Sequence, residues 1–156
     1  MARQSELIGV AELSRKLSEL GDWKENEKVL KASIRAGLLQ ARKVARANVR
    51  QFSPGERQLH RLHNGRLVSA GYAAKSLSMS VFTPRGRGKV IGRLGVKRDA
   101  FYAVQFFELG TSRIAAQPWL VPAFEASQSP MLQAIGRQMR ARIDRIAAKR
   151  AAEGRT

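Results

Sequence analysis

The chain has no cysteine among its 156 residues. That excludes disulfides, thiol chemistry and any cysteine-based zinc site. Histidine is nearly absent as well, with only His60 and His63. They stand as His-x-x-His, a spacing that holds a metal when a third ligand joins. Arg57, Arg61 and Arg66 crowd the same stretch and Glu56 is the one nearby oxygen donor, so no metal is expected. No apolar run approaches membrane-spanning length, and Met-Ala-Arg-Gln-Ser-Glu lacks a signal-peptide core. A soluble protein made in a cytoplasm, with no membrane partner, is the expectation. Acids are scarce too: 12 Asp and Glu face 29 Lys and Arg, for a net charge of +17.

The distribution of that charge says more than its size. Residues 31–98 hold sixteen Lys and Arg against one acid, whereas residues 1–30 and 99–127 are each slightly acidic and 128–156 mildly basic. A positive middle between near-neutral apolar segments points to a surface facing a polyanion, with other faces kept for packing. The hydrophobic content of 44% supports a folded core, and the length fits one domain spanning 1–156.

Periodicity lays out an α+β architecture: a small antiparallel sheet packed by a long amphipathic helix and a C-terminal helix. Ser5 to Leu20 reads as a short strand or turn and then a helix carrying Leu13, Leu17 and Leu20, stopped at Gly21. Asp22 reads as the N-cap of the next helix, with Glu25 in capping-box position. From about 25 to 52, Leu30, Ile34, Leu38, Ala41, Ala45 and Phe52 share one face, and Lys31, Arg35, Arg42, Arg46 and Arg50 form a separate basic stripe. Residues 53–73 are polar, basic and without period, a long flexible loop. Leu77 to Thr83 and Lys89 to Val96 alternate apolar and polar, giving a hairpin at about 75–96 whose tip carries Arg85, Arg87 and Lys89, with Arg93 on the second strand. Gly86-Arg87-Gly88-Lys89 lacks phosphate-loop spacing and lies between strands, so a nucleotide-binding loop is rejected. Ser129-Pro130 reads as a cap and first-turn proline opening a helix over about 130–150 with Leu132, Ile135, Met139, Ile143 and Ile146 on one side, and 151–156 as a frayed tail.

The densest stretch runs from Asp99 to Ser127. Phe101, Tyr102, Phe106, Phe107, Trp119 and Phe124 are six of the chain's ten aromatics. Gly110 is placed to close a helix or turn at positive φ. Pro118 and Pro122 fix the backbone on either side of Trp119. Glu108 has no partner acid, histidine or metal ligand in view, so a catalytic role is not indicated; it pairs with an arginine or accepts backbone hydrogen bonds near Thr111. Trp119, Leu120 and Phe124 read either as core or as anchors for a neighbouring subunit. No nucleophile–base pair, ligand cluster or cofactor loop emerges, so neither an enzyme nor a cofactor is expected.

Glu108-Leu109-Gly110-Thr111 followed by Gln117-Pro118-Trp119-Leu120-Val121-Pro122-Ala123 resembles the signature of a tailed-phage neck and tail-completion family, the minor-tail-protein-Z-like head–tail joining proteins. Gly9-Val10-Ala11-Glu12-Leu13 fits that family's opening. The chain departs from the pattern at Leu109 and Trp119, which keep apolar character, and at Val121, which replaces an arginine. The resemblance implies a virion protein at the head–tail junction, assembled in the bacterial host as a homo-oligomeric ring beside the head-closure and tail-terminator proteins around double-stranded DNA. Under that reading Lys31, Arg35, Arg42, Arg46, Arg85, Arg87, Lys89 and Arg93 face DNA. Phe106, Phe107, Glu108, Gly110, Thr111, Pro118, Trp119, Leu120, Pro122 and Phe124 form subunit or partner contacts. A stand-alone, sequence-independent nucleic-acid-binding protein and a tail-assembly factor absent from the virion stay open as alternatives.

Overall fold

The computed structural model describes residues 15–18, 21–51, 60–61, 65, 67–68, 71–85, 88–113 and 115–154. It is α+β, with an antiparallel hairpin packed against a long helix and a C-terminal helix. The long helix, α1, spans Trp23–Gln51. Asp22 caps it: Oδ1 accepts the Lys24 amide at 2.9 Å, and the Asp22 carbonyl accepts the Asn26 amide at 3.0 Å. Glu25 does not complete a capping box. Its carboxylate instead receives the Arg150 guanidinium at 2.7 Å, at the far end of the chain.

Residues 53–73 are not one featureless loop where they are described. His60–Arg61 (β1) pairs antiparallel with Leu67–Val68 (β2), and Tyr72–Lys75 forms a short helix, α2. The main hairpin follows, β3 (Leu77–Phe82) against β4 (Ile91–Val96), with Leu77 opposite Val96 and Phe82 opposite Ile91. Alternation then puts Leu77, Met79, Val81, Gly92, Leu94 and Val96 on one face. That face lies on α1. A Cβ added at Gly92 would meet Ile34 Cγ2 at 2.5 Å and Leu38 Cδ1 at 2.8 Å, so only glycine lets the strand approach this closely.

Helix α3 runs Arg98–Leu109 and stops at Gly110, whose φ of 72° is the left-handed value anticipated for that glycine. Helix α4 then runs Leu120–Ala152, starting ten residues before the expected 130 and reaching two residues into the expected tail. Pro130 lies inside α4 rather than opening it. A helix continues through a proline, at a cost of about 3 kcal/mol, when its flanks are held by other packing. Here Ala123 and Ser127 before the proline, and Ala134 and Ile143 after it, are all buried.

α4 packs antiparallel on α1. The pairs Glu25–Arg150, Val29–Ile143, Gly37–Ile135 and Asn48–Trp119 step along the two helices in opposite senses. The line of α1 that enters the core is Val29, Ser33, Gly37, Ala41, Ala45 and Val49, together with Leu38. Leu38, Ala41 and Ala45 lie where the periodicity puts them. Leu30 and Ile34 are only half-buried, and Phe52 lies outside the described residues. The seam is made of small residues because the helices approach closely. A Cβ on Gly37 would stand 2.7 Å from Ile135 Cγ1 and 3.2 Å from the Met131 carbonyl oxygen. Buried Ser33 and Ser127 each donate back to the carbonyl four residues earlier, so neither leaves a bare hydroxyl in the seam.

The larger core cluster gathers at the C-terminal end of α1, where Ala45 and Val49 meet Ala74, Leu77, Ala100, Val104, Trp119 and Ala123. A smaller cluster at the other end joins Val29 and Ile143, with Leu17 against them. No helix among the described residues is long and apolar enough to cross a membrane.

Candidate nucleic-acid and subunit interfaces

Glu108 organises the motif between α3 and α4. The amides of Trp119 and Leu120 donate to its Oε2 at 2.7 and 2.9 Å, and the amide of Val121 donates to its Oε1 at 3.2 Å. A helix start leaves four amides without partners inside the helix. Three of those of α4 are met by one carboxylate, and the fourth position is Pro122, which has no N–H. The carboxylate also sits at the positive end of the helix dipole. Gly110 makes this geometry reachable by turning the chain at the end of α3, and the Gln117 amide then donates to the Phe107 carbonyl at 2.6 Å. The backbone acceptance foreseen for Glu108 is present, with donors at 119–121 rather than beside Thr111.

Trp119 is core. It is 3% exposed, its indole N–H donates to the Val104 carbonyl at 3.3 Å, and its own carbonyl accepts from Asn48 Nδ2 at 3.0 Å. It therefore offers a partner no surface. Phe107 also packs against the core, as does half-buried Leu120, and Phe124 is half-buried. What faces outward is a different set. Phe106 is 46% and Leu109 69% exposed, and Phe101 and Val121 are exposed as well. At 100° per residue, 101, 105, 106 and 109 fall on one side of α3, opposite buried Ala100 and Val104. Thr111 and Pro118 are exposed in the connection between α3 and α4, and Gly110 and Pro122 are half-buried.

The basic stripe of α1 is one surface. Lys24, Lys28, Lys31, Arg35, Leu39, Arg42, Arg46 and Arg50 fall within roughly a 100° arc of the helix, with Lys28 also lining a cleft against α4. Lys31 is engaged by Glu27 at 2.5 Å, and Glu27 also accepts the Thr83 hydroxyl at 2.6 Å. Those two hydrogen bonds, Lys31 first, hold the Glu27 carboxyl below its ordinary value. Arg35, Arg42, Lys43, Arg46 and Arg50 have no acid partner among the described residues. Leu39, Arg42, Lys43, Arg46, Ala47 and Arg50 line a shallow depression of about 360 Å³, where the Nε atoms of Arg42 and Arg46 are buried without an acceptor.

The Thr83–Glu27 bond anchors the hairpin tip beside the second turn of α1. Arg85 and Lys89 in that tip are exposed, and Arg87 lies outside the described residues. Arg93 belongs elsewhere. It sits on the hairpin face turned away from α1, with its guanidinium 4.6 Å from the centre of the Phe82 ring. His63, Gly9 to Leu13 and most of Ser5 to Leu20 lie outside the described residues, as does the side chain of His60. Among the described residues no group of acids and histidines is arranged to hold a metal.

One charged feature was not legible in the sequence. The N-terminal turns of α1 and the C-terminal turns of α4 enclose a cleft of about 590 Å³ lined by Glu25, Lys28, Arg142, Lys149, Arg150 and Glu153 over Val29 and Ile146. These residues are more than a hundred positions apart, and only the antiparallel pairing of the two helices brings them together. Comparison of the chain with known protein families, with characterised proteins and with solved structures finds no match.

Proposed function

We propose that this chain is a structural protein of the tailed-phage neck, a subunit of a ring that joins head to tail around the DNA channel. One observation carries the reading: a cationic stripe along α1, where only Lys31 meets an acid among the described residues, and an exposed apolar set on α3 belong to different helices of one small fold. The apolar face of Phe106 and Leu109 supplies subunit contacts, which close into a ring when each copy meets the next by the same rotation. The cationic face turns to the lumen and holds the duplex by phosphate attraction, without reading bases. Repeated around a ring, such a face stabilises DNA at every rotation and leaves it free to slide. The resemblance of the 108–123 motif to the neck family supports the same assignment and supplies the neighbours, a head-closure protein and a tail terminator. The role is structural rather than catalytic.

Light scattering on the purified protein, alone and with those neighbours, tests it. A discrete ring-sized species, formed alone or on adding them, is the expected result. A protein that stays monomeric with both neighbours and binds nucleic acid by itself would overturn the reading in favour of a stand-alone binding protein.

A further inference from the structure

We propose that the cleft between the start of α1 and the end of α4 is a binding site for a phosphate group. Six charged side chains line it, four of them cationic. Two of the cations are neutralised within the cleft: Arg150 by Glu25 at 2.7 Å and Lys149 by Glu153 at 3.7 Å. Lys28 and Arg142 are left over. Neither has an acid partner among the described residues, and the Nε of Arg142 is buried without any acceptor. Asp144, the nearest acid along α4, is turned to Lys16 instead, at 4.0 Å.

A guanidinium whose buried Nε has no acceptor, and a second unpaired cation lining the same cleft, make a cationic seat. A phosphate fits it, because its several oxygens can accept from both groups at once. The site differs from the depression around Arg42 and Arg46, which a single helix face lines. Two helices build this cleft, and the Glu25–Arg150 pair ties them together across it. Lys28 also belongs to the basic arc of α1, so the phosphate has two possible sources, a free phosphate compound or the backbone of a duplex lying along that arc.

Isothermal titration of the full chain with pyrophosphate, in buffer containing 100 mM salt, tests the site. One saturable site is expected. Lys28→Ala and Arg142→Gln each weaken it about tenfold, the range for losing a hydrogen bond to a charged group. Lys97→Ala, an exposed cation at the start of α3 and outside the cleft, leaves it unchanged. Lys28 is exposed, so its variant reports even if the Arg142 substitution perturbs folding. Absence of saturable binding, or equal affinity in the Lys28→Ala protein, would overturn the proposal. Competition with a 20-base-pair duplex identifies the source. If saturating pyrophosphate weakens duplex binding more than threefold, the seat takes a backbone phosphate; if duplex binding is unaffected while the pyrophosphate site persists, it takes a free one.

Discussion

At the junction of α3 and α4, Glu108, Trp119 and the first amides of α4 are hydrogen-bonded internally. The outward arc of α1, by contrast, answers almost none of its charges beyond Lys31 among the described residues. In the first region one carboxylate serves three amides, a proline removes the fourth donor, and the indole of Trp119 is bonded and buried. In the second, Arg35, Arg42, Lys43, Arg46 and Arg50 stand without acids among the described residues. Internally closed polar networks fix a fold. Uncompensated charge of one sign does little for a fold and much for recognition. The contrast teaches that the motif carrying the family resemblance is itself a piece of architecture. Its polar groups cap the start of α4, while Leu109 and Val121 of the same motif stay exposed.

Substitutions can break this division. Trp119→Ala has the largest expected effect, a loss of about 3–5 kcal/mol from a truncated core aromatic, read by chemical denaturation. Glu108→Ala follows at about 1–2 kcal/mol, because three partly buried or exposed amides at the α4 start lose a charged acceptor; a loss below about 0.5 kcal/mol would show that water replaces the cap. Gly37→Ala comes next, at about 1–2 kcal/mol: crowding against Ile135 and the Met131 carbonyl outweighs the gain of roughly 1 kcal/mol in helix propensity. On the other side of the comparison, Arg35→Gln, Arg42→Gln and Arg46→Gln together leave stability within about 0.5 kcal/mol. The smallest effect belongs to Glu27. Its pKa is lowered in the folded state, so its contribution is present above the ordinary carboxylate value of 4.5 and fades as pH falls through the lowered one. Stability curves of the wild type and Glu27→Gln should therefore converge on acidification below pH 4.5.

Local signals carried much of the fold. The extent of α1 emerges to within two residues because its period is long and unbroken, and β3 and β4 emerge because their alternation matches a half-buried sheet. The glycine stop at 110 is equally local. The start of α4 was hidden because its cap acceptor, Glu108, lies twelve residues upstream of Leu120 and is delivered by the turn of the chain. Ser129-Pro130 offers the stronger local start signal, and tertiary packing overrides it. The core line of α1 is displaced from the expected one because Ser33 and Gly37 carry no hydrophobic signal, yet closeness to α4 selects them for the seam. The basic arc was visible in the spacing of its arginines. Arg93 fell outside it because strand alternation turns it to the opposite face, and the Lys28–Arg142 cleft depends on a pairing of distant helix ends that no spacing encodes.

The salt dependence of duplex binding tests the central claim most directly. Affinity for a short DNA duplex would be measured across a range of salt concentrations, for the wild type, for the triple Arg35→Gln, Arg42→Gln, Arg46→Gln protein, and for Phe106→Ser with Leu109→Ser. The account predicts a steep wild-type slope of log affinity against log salt, reduced by about 3 in the triple variant as three phosphate contacts are lost, and unchanged in the α3 variant. A triple variant that keeps the wild-type slope would contradict it.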